Sequence, residues 1–171
     1  AATWDFLREC DPLQPDAEAN ARKALRFLTT SQSLGAGRLA GTPAGPKRRT
    51  VELHAELGRL YCADGRFSKA KEQFVTALQL ATVLGDPTIV AGLNIQVGDL
   101  HLMNAALIQN ADAGASITIP AEEQSLVYKA IEWFKRALSC EDDDMKAAAE
   151  RCIGQSYLKL ASRLGPKFGR L

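Results

Sequence analysis

Apolar residues recur every three to four positions along most of the chain, with polar residues between them, and this spacing predicts amphipathic α-helices. Capping residues, Gly and Pro mark where each run starts and stops. The predicted helices cover residues 16–34, 51–63, 67–84, 87–110, 120–140 and 142–164, after a short helix within residues 1–11. Two segments, residues 35–49 and 111–119, interrupt the pattern. The patterning therefore predicts an all-α chain.

Two of the helix starts carry clear capping residues. Asp86 stands at an N-cap position, and Pro87 follows at the first helical position, where a backbone N–H has no helical acceptor. Asp142, Asp143 and Asp144 begin the last predicted helix, where carboxylates interact favourably with the helix dipole. We interpret this acidic run as a cap. A cation site is the alternative, but the ligand spacing and turn glycine of a calcium loop do not surround it.

A set of residues recurs along the helical part of the chain. Its first copy comprises Leu57, Gly58, Tyr61, Gly65, Ala70, Phe74, Ala77 and Leu78. The second copy starts forty residues later with Val97, Gly98 and His101 and continues, after a longer connection, with Ala130, Phe134, Ala137 and Leu138. A third start consists of Ile153, Gly154 and Tyr157. Small residues at this spacing let two helices of a hairpin approach closely, and the aromatic residues fill the space beside them.

These residues resemble the tetratricopeptide repeat over residues 50–162, with His54 where that family prefers Trp. The forty-residue period and the join at Leu84, Gly85 and Asp86 are similar to the longer variant found in kinesin light chains and in Leu-Gly-Asn repeat scaffolds. The resemblance implies antiparallel helix-turn-helix repeats stacked as an α-solenoid. In that family the first helix of each pair lines a groove that takes up a peptide from a partner protein.

The repeats divide the chain into five parts. Residues 1–34 hold N-terminal helices, interpreted as a degenerate preceding repeat, and residues 35–49 are a basic linker rich in Gly and Pro. Residues 50–85 form one repeat, and residues 86–141 form a second with an insertion near 105–124. Residues 142–171 supply the first helix of a third repeat or a capping helix.

Carried over residue by residue, the resemblance assigns nine positions to the peptide-binding groove. They are Glu56, Arg59, Cys62, Gln96, Asp99, Met103, Arg151, Gln155 and Lys159. Their mixture of charges implies a ligand with both signs, recognised by pairing. The alternative for each charged position is an exposed helix face that serves solubility alone.

Composition and charge exclude several classes of function. The 21 basic and 20 acidic residues leave a net charge of +1, which offers no field to attract nucleic acid or an anionic membrane. The four cysteines form no C-x-x-C pair and lie far from both histidines, so we expect neither a metal site nor a disulfide framework, and no cofactor. No apolar run reaches the roughly 20 residues of a membrane span. We expect a cytoplasmic or nuclear protein, and a fragment or processed chain, since Ala1 stands first.

Catalytic motifs are absent as well, because the sequence has no G-x-S-x-G, no phosphate-binding G-x-x-x-x-G-K and no H-E-x-x-H. We therefore predict a non-catalytic protein–protein interaction module whose groove binds a partner peptide or a neighbouring subunit. The alternative is a purely structural or self-associating segment of a larger helical-repeat assembly. Residues 113–118, within the insertion, are a further candidate contact element.

Overall fold

A computed structural model describes residues 16–35, 44–111 and 121–164. Every regular element in these ranges is an α-helix, which confirms the all-α prediction for them. The helices are α1 (Ala17–Gly35), α2 (Ala44–Ala63), α3 (Phe67–Leu84), α4 (Pro87–Ala111), α5 (Ala121–Ala137) and α6 (Asp143–Leu164). The predicted helix within residues 1–11, most of the predicted linker and the candidate contact element at 113–118 lie outside the described residues.

The start of α2 corrects one predicted boundary. The sequence predicts a linker that ends at residue 49, whereas the helix begins at Ala44 and Thr50 is buried inside it. Pro46 lies in the first turn, where backbone N–H groups have no helical acceptor, so it does not prevent a helix there. Arg48 and Arg49 also pair with Glu52 across one helical turn, with N–O distances of 3.7 and 3.1 Å. The basic run therefore belongs to the helix.

Helices α2 and α3 form an antiparallel hairpin. Gly65 makes the turn between them with φ of +71°, in the left-handed region that glycine adopts without steric cost. Near the turn, the backbone N–H of Arg66 donates to the carbonyl of Tyr61 at 2.8 Å. Farther away, Nδ1 of His54 lies 2.9 Å from Oε1 of Gln73. The predicted close approach is present, because a Cβ built on Gly58 would lie 2.6 Å from the Phe74 ring.

Helices α4 and α5 repeat this packing. A Cβ built on Gly98 would lie 2.3 Å from the ring of Phe134, which is fully buried. Ala130 and Ala137, one turn on either side of that ring, are fully buried too. The second hairpin thus buries the same residue types at the same places as the first.

The join between the hairpins has the predicted capping residues. Gly85 ends α3 with φ of +70°, and its N–H donates to the carbonyls of Ala81 and Thr82 at 3.2 and 3.1 Å. Asp86 then accepts a hydrogen bond from the backbone N–H of Ile89 at 3.1 Å, as an N-cap does. This short join sets the end of α3 directly against the start of α4.

Successive helices pack on one another along the chain. The most extensive contacts lie within the hairpins, and α1 on α2, α3 on α4 and α5 on α6 make the next largest contacts. Fully buried alanines occupy these crossings and allow close packing; they are Ala70, Ala77, Ala81 and Ala149. None of the helices in the described ranges has both the length and the apolar character needed to cross a membrane.

Candidate functional site

The nine residues predicted to bind a peptide lie on three neighbouring helices. Glu56, Arg59 and Cys62 are on α2, Gln96, Asp99 and Met103 are on α4, and Arg151, Gln155 and Lys159 are on α6. Helix α4 contacts both α2 and α6, so it is the middle helix of the three. We call these nine positions on three neighbouring helices the α2/α4/α6 face.

Asp99 connects the three helices electrostatically. Its carboxyl group retains access to solvent, but desolvation by the surrounding chain raises its pKa to about 6. Burial raises the pKa of Cys62 on α2 to about 11, and the negative charge of Asp99 adds to that shift. Burial and then the Asp99 charge also raise the pKa of Cys152 on α6. Asp99 therefore lies within electrostatic reach of both flanking helices.

Two of the predicted charges already neutralise each other. Arg59 forms an ion pair with Glu56, one turn before it on α2. The Arg59 side chain is 33% exposed and that of Glu56 is 16% exposed. A ligand carboxylate that approached Arg59 would therefore share the guanidinium with Glu56, which permits binding by exchange of partners but not by simple charge attraction.

Gln96, on the middle helix, has a side-chain oxygen that lacks a hydrogen-bond donor among the described residues. This oxygen, Oε1, is buried. A buried amide oxygen without a donor costs free energy, so a ligand N–H that reached it would replace a missing bond. The amide can also donate through its nitrogen, which suits recognition of a peptide backbone.

The other predicted residues differ in how much surface they offer. Met103 is 44% exposed, and Arg151 and Gln155 are exposed, whereas Lys159 is half-buried. Cys62 is only 8% exposed, so it packs beneath the surface and contributes little to a contact. The exposed part of the face thus combines four groups: the carboxylate of Asp99, the guanidinium of Arg151, the amide of Gln155 and the thioether of Met103.

A pocket elsewhere is lined by residues that the sequence pattern does not assign to a site. It has a volume of about 410 Å³ and lies between the C-terminal end of α3, the first turns of α4 and the end of α5. Asn94, which is 6% exposed, and Arg136, whose guanidinium lies 4.2 Å from the Trp133 ring centre, belong to this region. None of the nine predicted residues lines it. Asn94 stands out in an apolar run, but sequence alone does not show which neighbour it faces.

A second unassigned cluster attaches α1 to the first hairpin. Tyr61 donates to Glu18 at 3.1 Å, and Arg66 donates to the other oxygen of Glu18 at 2.6 Å. Arg66 also lies over the Tyr61 ring, 4.5 Å from its centre. These hydrogen bonds, that from Arg66 above all, lower the pKa of Glu18 below its usual value. The repeat pattern predicts Tyr61 only as a packing residue and does not reveal the hydrogen bond of its hydroxyl.

Within the described ranges, no group of three or more His, Cys, Asp and Glu side chains is arranged to hold a metal ion. The cysteines that the structure describes, Cys62, Cys140 and Cys152, are free thiols. No protein-family profile matches the chain, and no curated protein matches it either.

Proposed function

We propose that this protein is a non-catalytic interaction module of the tetratricopeptide type. In this proposal the helix pairs stack as an α-solenoid, and the α2/α4/α6 face is the concave groove that binds a segment of a partner protein. The module acts in the cytoplasm or nucleus, without a cofactor and without nucleic acid as a ligand.

The observation that carries the proposal is one glycine–phenylalanine contact that occurs in both hairpins. Gly58 packs against Phe74 in the first hairpin, and Gly98, forty residues after Gly58, packs against Phe134 in the second. Equivalent packing in successive hairpins is what a helical-repeat array requires, because each unit must offer the next the same apolar surface. The first helices of such an array lie side by side, as α2, α4 and α6 do.

The chemistry of the face supports a peptide as the ligand. Gln96 offers a buried oxygen to a backbone N–H, while Asp99 and Arg151 offer opposite charges to side chains of either sign. Well below pH 6 the Asp99 carboxyl is protonated and can donate, and well above pH 6 the carboxylate accepts only. A basic residue of the ligand is therefore held more tightly above pH 6.

Affinity capture from a cell extract tests the proposal. The groove variant is Arg59→Glu, Arg151→Glu and Gln155→Ala in one chain. Its matched control makes the same changes on exposed positions of α1, α3 and α5, as Lys23→Glu, Lys135→Glu and Gln79→Ala. Circular dichroism shows whether both variants are folded.

We expect proteins captured by the wild type to be lost from the groove variant and retained by the control. Binding of the recovered partner segment to the purified chain should then weaken by at least about tenfold in the groove variant. Equal retention by both variants would contradict the proposal and favour a purely structural subunit.

A further inference from the structure

The cavity at the ends of α3 and α5 and the start of α4, which we call the α3/α4/α5 pocket, has the dimensions of a small-molecule site. Its volume is about 410 Å³, and pockets that hold small ligands have volumes of roughly 300–1,000 Å³. None of the nine residues of the α2/α4/α6 face lines it. A ligand of this pocket would therefore be independent of the role of that face.

Small and apolar side chains make much of the pocket wall. Ala81 on α3 and Ala91 on α4 line it and are 0% and 2% exposed, and Pro87 and Val90 line it between them. Alanine at two of these positions leaves room that a larger side chain would fill. Because the wall offers water few hydrogen bonds, an apolar group that displaces water from it is favoured.

Asn94 is a buried polar residue within this wall. It is 6% exposed and lines the pocket, and its side-chain amide makes no hydrogen bond to another described residue. A buried amide without a partner costs free energy, so its partner is expected to come from whatever occupies the pocket. The amide both donates and accepts, and it can therefore pair with the C=O and the N–H of a ligand amide.

The hydroxyl groups in the wall already donate to their own helices. Oγ1 of Thr82 donates to the carbonyl of Leu78 at 2.8 Å, and Oγ of Ser139 donates to the carbonyl of Arg136 at 2.9 Å. The side-chain amide of Asn94 is therefore the donor in the wall that remains free for a ligand among these three polar side chains.

Arg136 supplies a positive charge at the mouth of the pocket. Its side chain is exposed, its guanidinium carbon lies 4.2 Å from the Trp133 ring centre, and no described carboxylate forms an ion pair with it. Asp86 also lines the pocket, but Oδ1 accepts from the N–H of Ile89 at 3.1 Å and Oδ2 lies 3.8 Å from Nη1 of Arg48. The charge that is left for a ligand is therefore positive.

We propose that the α3/α4/α5 pocket binds a small N-acylated amino acid, which enters with its acyl group first. The ligand amide pairs with Asn94 at the buried end, and the ligand side chain packs on the apolar wall. The ligand carboxylate pairs with Arg136 at the mouth, since guanidinium groups bind carboxylates through charge-assisted hydrogen bonds.

The burial of Asn94 distinguishes this ligand from the end of a peptide. A peptide that ends in an apolar residue has the same amide and the same carboxylate, but its chain continues beyond that amide. It would have to pass a side chain that is only 6% exposed. The acyl group is therefore short and terminal.

Titration of the full 171-residue chain with N-acetylphenylalanine tests the proposal. NMR spectra of the isotope-labelled chain report binding through the backbone amides of Val90 and Ala91 and the side-chain amide of Asn94. Three control probes each change one group. N-acetylphenylalaninamide lacks the carboxylate, phenylpropanoate lacks the acylated nitrogen, and an acetylated tripeptide that ends in phenylalanine extends the acyl end.

Variants of the chain remove each polar partner in turn. Arg136→Gln removes the guanidinium, and Lys135→Gln makes the same change of charge at the neighbouring exposed position, which does not line the pocket. Asn94→Leu and Asn94→Ala remove the amide, and Asn104→Leu is their matched control on α4. The alanine variant only removes atoms, so it keeps the test usable if leucine does not fit.

We expect saturable binding of N-acetylphenylalanine to the wild type, with affinity weakened by at least about tenfold in Arg136→Gln and in both Asn94 variants. Lys135→Gln and Asn104→Leu should bind it as the wild type does, and each control probe should bind the wild type at least about tenfold more weakly.

Three results would overturn the proposal. The first is the absence of saturable binding to the wild type, and the second is equal binding by Arg136→Gln and Lys135→Gln. The third is a tripeptide that binds as tightly as N-acetylphenylalanine, which would assign the pocket to the end of a protein chain.

Stability provides a second readout, which a purely structural Asn94 would not give. Without ligand, Asn94→Leu should raise the urea midpoint of unfolding, because an apolar side chain replaces a buried amide that has no partner. N-acetylphenylalanine should raise the midpoint of the wild type and leave that of Asn94→Leu unchanged. A lower midpoint for folded Asn94→Leu would show that the amide bonds within the fold, and it would overturn the proposal.

Discussion

Three glycines occupy equivalent positions on α2, α4 and α6 but have different surroundings. Gly58 and Gly98 face buried phenylalanine rings, so added atoms would collide with a ring that has little room to move. No described residue lies within 4 Å of a Cβ built on Gly154. A side chain added at Gly58 or Gly98 should therefore destabilise the fold, whereas one added at Gly154 should not.

The first prediction compares alanine at two of these glycines. We expect Gly98→Ala to lower the free energy of unfolding by about 1–3 kcal/mol, because the Phe134 ring must shift. Gly154→Ala should raise it by about 0.5–1 kcal/mol, through helix propensity alone. Urea denaturation measures both. The same sign for both substitutions would contradict the assignment.

The second prediction concerns the charge of Asp99. Its pKa is about 6 in the folded chain, above the ordinary aspartate value of 3.8, so between these two pH values the folded state binds a proton that the unfolded state has lost. Stability should therefore fall as pH rises from about 4 to about 6 on account of this group, and the loss persists above pH 6. Asp99→Asn should raise the melting temperature at pH 7.5 and leave it nearly unchanged at pH 3.5.

The quantity to measure is the difference in melting temperature between the wild type and Asp99→Asn at each pH. This difference is needed because His101 changes the stability of both in the opposite direction as pH changes. Burial lowers the pKa of His101, so acidification destabilises the fold through that residue in both proteins equally. An NMR titration of the Asp99 carboxyl carbon provides a direct check. A midpoint near pH 4 would contradict the assigned environment.

The third prediction concerns the reactivity of Cys62. A rise of its pKa from 9.0 to about 11 reduces the thiolate fraction at pH 8 by roughly a hundredfold. Alkylation by iodoacetamide, followed by peptide mass spectrometry, should be at least about tenfold slower at Cys62 in the folded chain than in denaturant. Equal rates would show that the thiol is neither buried nor near Asp99.

At the scale of helices, the ends are stabilised by particular side chains. Oδ1 of Asp142 accepts hydrogen bonds from the backbone N–H groups of Asp144 and Met145 at 3.0 and 3.1 Å. This confirms that the acidic run caps a helix. Asp143, the next residue, has a 96% exposed side chain that pairs with Lys146 at 3.4 Å. Of the described carboxylates in this acidic run, that of Asp142 accepts from backbone N–H groups that have no helical acceptor.

The fourth prediction compares these two neighbours. Asp142→Ala should lower the free energy of unfolding by about 0.5–2 kcal/mol, the usual cost of losing an N-cap. Asp143→Ala should change it by less than about 0.5 kcal/mol, since an exposed ion pair contributes little. Thermal denaturation of both variants measures these losses. Equal losses would show that net charge, and not capping, accounts for the stabilisation.

Most helix boundaries could be predicted because their causes are local. Gly85 ends α3 and Asp86 and Pro87 begin α4, as their backbone preferences require. The predicted start of α2, at residue 51, was wrong by seven residues, because the glycines and prolines near residue 45 indicated a linker and the pairing of Arg48 and Arg49 with Glu52 was not foreseen. A proline breaks a helix only beyond its first turn, and composition does not show where that turn lies.

At the scale of the whole molecule, α1 is held to the rest by apolar packing and by the cluster of Glu18, Tyr61 and Arg66. Ala21 and Leu25 pack against the core of the first hairpin. Tyr61 is 3% exposed and its hydroxyl donates to Glu18. Removing that hydroxyl leaves the packing but takes away hydrogen bonds that orient α1.

The fifth prediction follows from this arrangement. Tyr61→Phe should speed amide hydrogen exchange in α1 by about three- to tenfold, in line with the roughly 1 kcal/mol of a buried hydrogen bond. Exchange in α5, which does not contact α1, should be unaffected. Uniform acceleration throughout the chain would show that the cluster stabilises the whole fold and not α1 alone.

The candidate site was predictable only in part. The repeat predicted nine residues on three helices, and these helices are neighbours in the structure because the first helices of successive repeats pack side by side. Spacing did not reveal that Arg59 is paired with Glu56, that Cys62 is buried, or that Cys152 lies within reach of Asp99. These facts depend on side-chain positions and on neighbours distant in sequence.

The sequence by itself determined that the described chain is helical, where most helices end, and which glycines and phenylalanines recur, because propensity, capping and periodicity act between residues a few positions apart. The tertiary structure alone decided that phenylalanine rings cover Gly58 and Gly98, whereas none from the described part of the chain covers Gly154. It alone decided, too, that the Asp99 carboxyl has a pKa near 6. Burial and contact are properties of neighbours that folding brings together, and the spacing of residues along the chain does not specify them.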